Sequence, residues 1–323
     1  MATVLVTGGA GFIGAHSAAR LVADGHDVTA LDPLRLYNEP QEPHDVANVR
    51  YRREHLLEGV ELVTGSTENG ADLTALLGDL KPTHILHCGA LPLATRAMED
   101  SSPAFRSILE GTHVLLESIR SAPSVERLVY VSSSMVYGDF TSDPQPETAP
   151  PAPKDVYGGM KYAGEVLVRV FEQTGGVPSV IVRPSAVYGP TDVNGRIVQK
   201  VVDAAQYGAP LRLRNPTSTF LDFTYVEDVA QGLVRALLGP VAGETFNITA
   251  GQGRSLGELY ELVRSRKPEL SAELVEGESD FRPRRGALDI SKARTLLGYE
   301  PRFALEEGLT AYMDFMDQIG AEE

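Results

Sequence analysis

The junction at residues 2–14 constrains this chain most: a short apolar run with Val at alternate positions leads straight into Gly8-Gly9-Ala10-Gly11-Phe12-Ile13-Gly14. That order predicts a strand, a tight turn and the start of a helix. Gly8, Gly11 and Gly14 recur at three-residue spacing, and Gly9, Gly11 and Gly14 also satisfy G-x-G-x-x-G. Glycine lets backbone N–H groups approach a pyrophosphate, and a helix start adds a favourable dipole. A glycine-rich turn without a ligand would carry the same letters; the placement between a first strand and a first helix favours the nucleotide reading. Gly8, Gly11, Phe12, Ile13 and Gly14 are therefore candidate cofactor contacts.

The helical stretch through Ala18, Leu21 and Val22 stops at Asp24-Gly25, and residues 27–32 read as a second strand, completing one βαβ unit. Asp32 closes that strand, where its carboxylate would accept hydrogen bonds from an adenine ribose diol and repel a 2′-phosphate. This favours NAD, while Arg35 nearby would suit the extra phosphate of NADP. Runs at 60–64, 83–88, 128–132 and 179–182 look like further buried strands, separated by helical patterns such as 108–119 and 157–171. The alternation predicts an α/β fold: a Rossmann doubly wound parallel sheet over residues 1–183, with a smaller C-terminal substrate-binding lobe over 184–323. Residues 223–226 and 246–249 are expected to return to the main sheet, so that 222–250 rejoins the first domain. The Pro-rich stretch 143–153 reads as a loop, and the polar stretch 35–58 as a loop plus an irregular helix.

Charge narrows the partners. Twenty-nine basic against forty-four acidic residues leave a net charge of −15, which argues against nucleic acid or an anionic membrane surface. Cys88 is the only cysteine, so neither an internal disulfide nor a multi-cysteine metal site can form. No His, Asp or Glu grouping suggests a metal. The chain opens on a strand, without a basic leader or an apolar run of membrane-spanning length, and a cytoplasmic location is expected.

Chemistry gathers in a second constellation. Ser132-Ser133-Ser134 end a strand, and Tyr157 and Lys161 stand four apart on a later helix, hence on one face of it. A phenol titrates near 10 and serves as a base at neutral pH only where positive charge stabilises its anion. Lys161 can supply that charge. A Y-x-x-x-K match arises readily by chance, so its company decides its weight.

That company includes His87-Cys88-Gly89-Ala90, Ser133-Ser134-Met135-Val136-Tyr137-Gly138, Arg183-Pro184, Tyr188-Gly189-Pro190, Asp222-Phe223-Thr224-Tyr225-Val226-Glu227-Asp228 and Asp289-Ile290-Ser291-Lys292-Ala293. Over nearly the whole chain these motifs resemble the extended short-chain dehydrogenase/reductase family. The closest likeness is to its NAD-dependent epimerase/dehydratase branch, the nucleotide-sugar enzymes related to UDP-galactose 4-epimerase. The resemblance implies that Ser133 hydrogen-bonds the reacting sugar oxygen, although a serine capping a strand end would look the same. It implies that Tyr157 is the base and that Lys161 binds the nicotinamide ribose and lowers the tyrosine pKa. Pro184, Ser185 and Ala186 fall where the family leads substrate past the nicotinamide, and Arg282 where an arginine meets a nucleotide diphosphate; Ser134 and Ser185 are the candidate substrate contacts beside Ser133. A homodimer through helices near 108–119 and 157–171 is also implied. The implied reaction is NAD-dependent 4-epimerisation of a nucleotide sugar, of UDP-hexose or UDP-uronic acid type, through a transient 4-keto intermediate. A sugar dehydrogenase or ketosugar reductase of the same family, acting on a substrate without the diphosphate, is the alternative. An inactive nucleotide sensor is a third reading, which the intact Ser133, Tyr157 and Lys161 oppose.

Departures from the family pattern sharpen this. Its dehydratases carry an Asp-Glu pair, and its decarboxylases a Glu, just after the catalytic Ser or Thr; here those positions are Ser134 and Met135. Elimination of water needs an acid there. The usual Asn before Val-Tyr-Gly-Pro is Ala186, and the usual Arg before Asp-Phe is Leu221, so Arg196, Arg212 or Arg214 would have to meet a diphosphate instead. Ser66 replaces the acidic residue expected after the third strand's glycine as an adenine contact. His87 reads as structural.

Overall fold

The computed structural model describes residues 1–35, 43–277 and 283–321. Seven parallel strands form the central sheet: β1 (Thr3–Thr7), β2 (Asp27–Asp32), β3 (Glu61–Thr64), β4 (His84–His87), β5 (Arg127–Val131), β6 (Ser179–Pro184) and β7 (Glu244–Ile248). Their spatial order is β3-β2-β1-β4-β5-β6-β7, with the winding direction reversing between β1 and β4. The loops leaving those two strands diverge, and a crevice opens at their carboxyl ends.

The strands read as nearly continuous apolar runs because helices cover both faces. Alternation still sorts their side chains. Val4 and Val6 join Phe12, Ala15, Val229 and Leu233 on one face, whereas Leu5 joins Leu73, Leu77, Leu115 and Val168 on the other. Helices Phe12–Ala23 and Val226–Leu238 pack together on the first face, and Gly70–Leu80, Gly111–Arg120 and Val156–Gln173 on the second.

The return to the sheet is shorter than the sequence suggests. Residues 246–249 overlap β7, which pairs with β6. Residues 223–226 do not join it: Phe220–Asp222 pairs antiparallel with Gly253–Ser255, and Thr224–Tyr225 pairs with Val187–Tyr188 in a separate parallel ladder. The free edge of β6 is taken by β7. Val226 already begins a helix, whose first turn carries Glu227 and Asp228, charges that suit a helix N-terminus. The stretch 35–58 is more helical than its polarity suggests, with Pro43–Tyr51 running into a wider π-type turn at Arg52–Leu56; residues 36–42 lie outside the described part.

Beyond β6, helices Ile197–Tyr207, Leu256–Arg266 and Leu305–Ala321 enclose a second core around Leu213, Tyr260, Tyr312 and Met316. Ser255 and Glu258 form a reciprocal cap at the start of the middle helix. No helix among the described residues is long and apolar enough to cross a membrane.

Candidate active site

The crevice at the reversal point begins with the glycine turn. Gly8 has φ +66°, and a Cβ on Gly14 would lie 2.1 Å from the Gly8 carbonyl oxygen, so a side chain there would push the helix off the turn. Gly11 starts the Phe12–Ala23 helix with no side chain capping it, which leaves the helix end open to an anionic ligand. Gly8, Gly11, Phe12, Ile13, Gly14, Asp32 and Ser66 all line this cleft, with Arg35 beside them. Asp32 Oδ2 accepts from Ala10 N at 3.1 Å and Oδ1 from Leu34 N at 2.8 Å. Burial holds its pKa above the ordinary value. Ser66 Oγ accepts from Glu68 N at 3.2 Å.

Two arginines in the same cleft escaped the sequence reading. Arg52 and Arg53 line it, and Arg52 is buried with Nε and Nη2 lacking any hydrogen-bond partner. Burial lowers the Arg52 pKa to about 10, against the pull of Asp192 and Asp32. The only available signal was the Arg50-Tyr51-Arg52-Arg53 cluster in a strongly acidic chain. Arg196, expected on the substrate, also lines the cofactor cleft: it pairs with Asp192 at 3.0 Å and lies over the Phe12 ring. A glycine bed with no room for Cβ atoms, a ribose-type carboxylate and orphaned guanidinium N–H groups together fit a dinucleotide.

The serine run is aimed at this cleft by close packing. Ser133, in extended conformation, caps the short turn Ser134–Tyr137 by accepting from Met135 N at 3.2 Å. Asp155 caps the Val156–Gln173 helix by accepting from Gly158 N at 2.7 Å. A Cβ on Gly158 would lie 2.7 Å from the Met135 carbonyl oxygen, so the helix start abuts the serine turn. The Tyr157 phenol accordingly lies beside Ser133. Burial raises the phenol pKa, while the Arg196 guanidinium, Ser133 and the Arg285 guanidinium lower it.

Lys161 is buried, and its Nζ donates to Val131 O at 2.8 Å. Burial lowers its pKa to about 8. Arg196 and Arg285 bring positive charge to bear on the phenol. Ser132 serves a different purpose: its hydroxyl donates to Glu165 Oε1 at 2.6 Å, and Glu165 pairs with buried Arg183 at 2.6 Å.

Ser134 and Ser185, expected at the substrate, are brought together by Arg285. One guanidinium nitrogen, Nη2, donates to both hydroxyls, with 2.8 Å to Ser185 Oγ. Arg282 lies outside the described residues. Arg212 does not join them; it is half exposed and pairs with Glu273 at 3.4 Å across a small ladder, because its strand alternation turns it away from the lobe core that holds Leu213.

A model of the NAD dependent epimerase/dehydratase family matches residues 4–249. The chain belongs to that family. NAD is accordingly its cofactor. This family member is 32% identical to the UDP-glucose 4-epimerase of Mycolicibacterium smegmatis, over 96% of this chain and 97% of the relative. It is 29% identical to a dTDP-glucose 4,6-dehydratase of Xanthomonas campestris pv. campestris, over 98% and 93%. Among solved structures it is similar to UDP-glucuronic acid 4-epimerase from Bacillus cereus, in complex with UDP-glucuronic acid and NAD. That likeness has a TM-score of 0.87 and 28% identity, over 98% of this chain and 99% of that one.

Proposed function

We propose that this protein is a UDP-sugar 4-epimerase. The observation that carries the reading is Tyr157 beside Ser133 at a dinucleotide cleft, with Ser134 and Met135 where an acid would be needed to expel water. The relatives named as epimerases of UDP-glucose and UDP-glucuronic acid support the nucleotide and the reaction.

In this reading bound NAD would supply the acceptor and donor of the hydride that leaves and rejoins the sugar carbon. Gly8, Gly11 and Gly14 with the helix start at Phe12 and Ile13 hold its pyrophosphate, Asp32 its adenine ribose, and Ser66 the adenine side. Lys161, held on the Val131 carbonyl, would bind the nicotinamide ribose. Tyr157 takes the proton of the C4 hydroxyl and later restores it, and Ser133 orients that oxygen. Arg196 and Arg285 favour the phenolate through their charge. Exposed Phe105, Val166 and Val170 on the neighbouring helices support a homodimer; light scattering of the purified protein checks its mass.

The test is incubation of the NAD-loaded protein with UDP-, dTDP-, CDP- and GDP-sugars, followed by mass spectrometry and proton NMR. Two UDP-sugars of equal mass should interconvert, with deuterium at C4 kept in the product. A product lighter by water or carbon dioxide, or steady release of NADH, overturns the reading.

A further inference from the structure

The cations of this site are neutralised in different ways. Arg183 has Glu165, and Arg196 has Asp192. Arg285 has neither: its partners are the hydroxyls of Ser134 and Ser185, the Met135 thioether at 2.9 Å from Nη1, and the face of Phe140. Its Nε is buried without a partner. Asp222 and Asp155 act on it only electrostatically. A half-buried guanidinium set on neutral groups, with a buried N–H unpartnered, is costly unless an anion completes it.

The segment is also held rigidly in place. Arg284 N donates to Asp139 Oδ1 and its carbonyl accepts from Phe140 N; Ala287 N donates to Asp143 Oδ1, and Leu288 N to Asp222 Oδ2. A loose surface arginine would have no such frame.

Resting on the epimerase reading above, we propose that Arg285 recognises a carboxylate on the sugar, so that the substrate class is a UDP-hexuronic acid rather than a neutral UDP-hexose. The position decides which anion it meets. Ser134 adjoins Ser133, which orients the C4 oxygen, and a C6 carboxylate sits on the carbon next to C4. The diphosphate hangs from C1, across the ring. A hydroxymethyl group in place of the carboxylate would leave the guanidinium uncompensated, and sites of this kind discriminate strongly against the analogue lacking the polar group.

Calorimetry on the NAD-loaded protein with UDP-glucuronic acid, UDP-glucose and UDP tests this. UDP-glucuronic acid should bind about 10- to 100-fold tighter than UDP-glucose, the span of a charge-assisted contact. Arg285→Gln should bring that ratio close to one, and Arg285→Lys should keep part of it; retained NAD binding shows that each variant is folded. If the Gln variant does not fold, the wild-type ratio and the Lys variant decide. Equal affinity of the wild type for the two sugars, absence of binding included, overturns the proposal. So does a loss for UDP as large as that for UDP-glucuronic acid, which would put Arg285 on the diphosphate. Preferential binding with no 4-epimer detected by NMR would sink the epimerase reading and leave the anion recognition standing.

Discussion

The cofactor wall draws on residues 8–14, 32, 52 and 66, most of them within one βαβ unit, whereas the sugar wall joins Arg285 to Ser134 and Ser185 across 151 and 100 residues of chain. The first wall is largely local: a glycine turn, an uncapped helix start, a carboxylate at a strand end. The second is side chain on side chain, assembled only after β5, β6 and the C-terminal segment have all docked. A ligand shared by a whole family can be met by a local motif, while the contact proposed here to separate one substrate from another is made between distant segments.

Removing the group on which both walls converge should have the largest effect. Tyr157→Phe is expected to lower turnover by about 10²–10⁴ with NAD binding retained. Steady-state rates with NAD titration check it, and wild-type turnover would dissolve the link between the walls.

Glu165→Gln attacks the buried scaffold beneath the sugar wall. It leaves Arg183 without its carboxylate and Ser132 without its strongest acceptor, a loss of about 3–5 kcal/mol. Denaturant unfolding measures this, and an unchanged midpoint would mean that the Tyr137 ring and the Glu147 carbonyl satisfy Arg183 alone.

On the cofactor wall, Arg52→Met should weaken NAD by about tenfold or more, the span of a charged hydrogen bond. The NAD-free protein should melt no lower, because Nε and Nη2 have no protein partner to lose. A large drop in the NAD-free melting temperature would make Arg52 a packing residue instead.

Asp222 gives the smallest effect. It is buried, its Oδ2 anchors Leu288 N in the segment carrying Arg285, and burial raises its pKa to about 7. The unfolded chain releases this proton near pH 4 and the folded one near 7, so the folded state binds more protons in between. The contribution is fully present below about pH 4 and is lost as pH rises through 7. Asp222→Asn should flatten that slope of stability against pH; an unaltered slope would assign it to other groups.

The glycine turn, the closing aspartate of β2 and the strand-helix alternation were legible because each is local: spacing along the chain is also spacing in the fold. Tyr157 and Lys161 share a helix face for the same reason, yet which cations bear on the phenol was not legible. Lys161 turns its ammonium to a strand carbonyl, and Arg196 arrives from the loop after β6. Nor could the sequence say that Arg285 meets Ser134 and Ser185; backbone pairing of its neighbours with Asp139, Asp143 and Asp222 holds it there. The sequence by itself determined a doubly wound sheet and its dinucleotide turn, since hydrophobic period and glycine sterics act within a few residues. Only the tertiary structure decided which charges bear on Tyr157, because electrostatic contacts depend on distance in space and Arg196 and Arg285 come from segments distant in the chain.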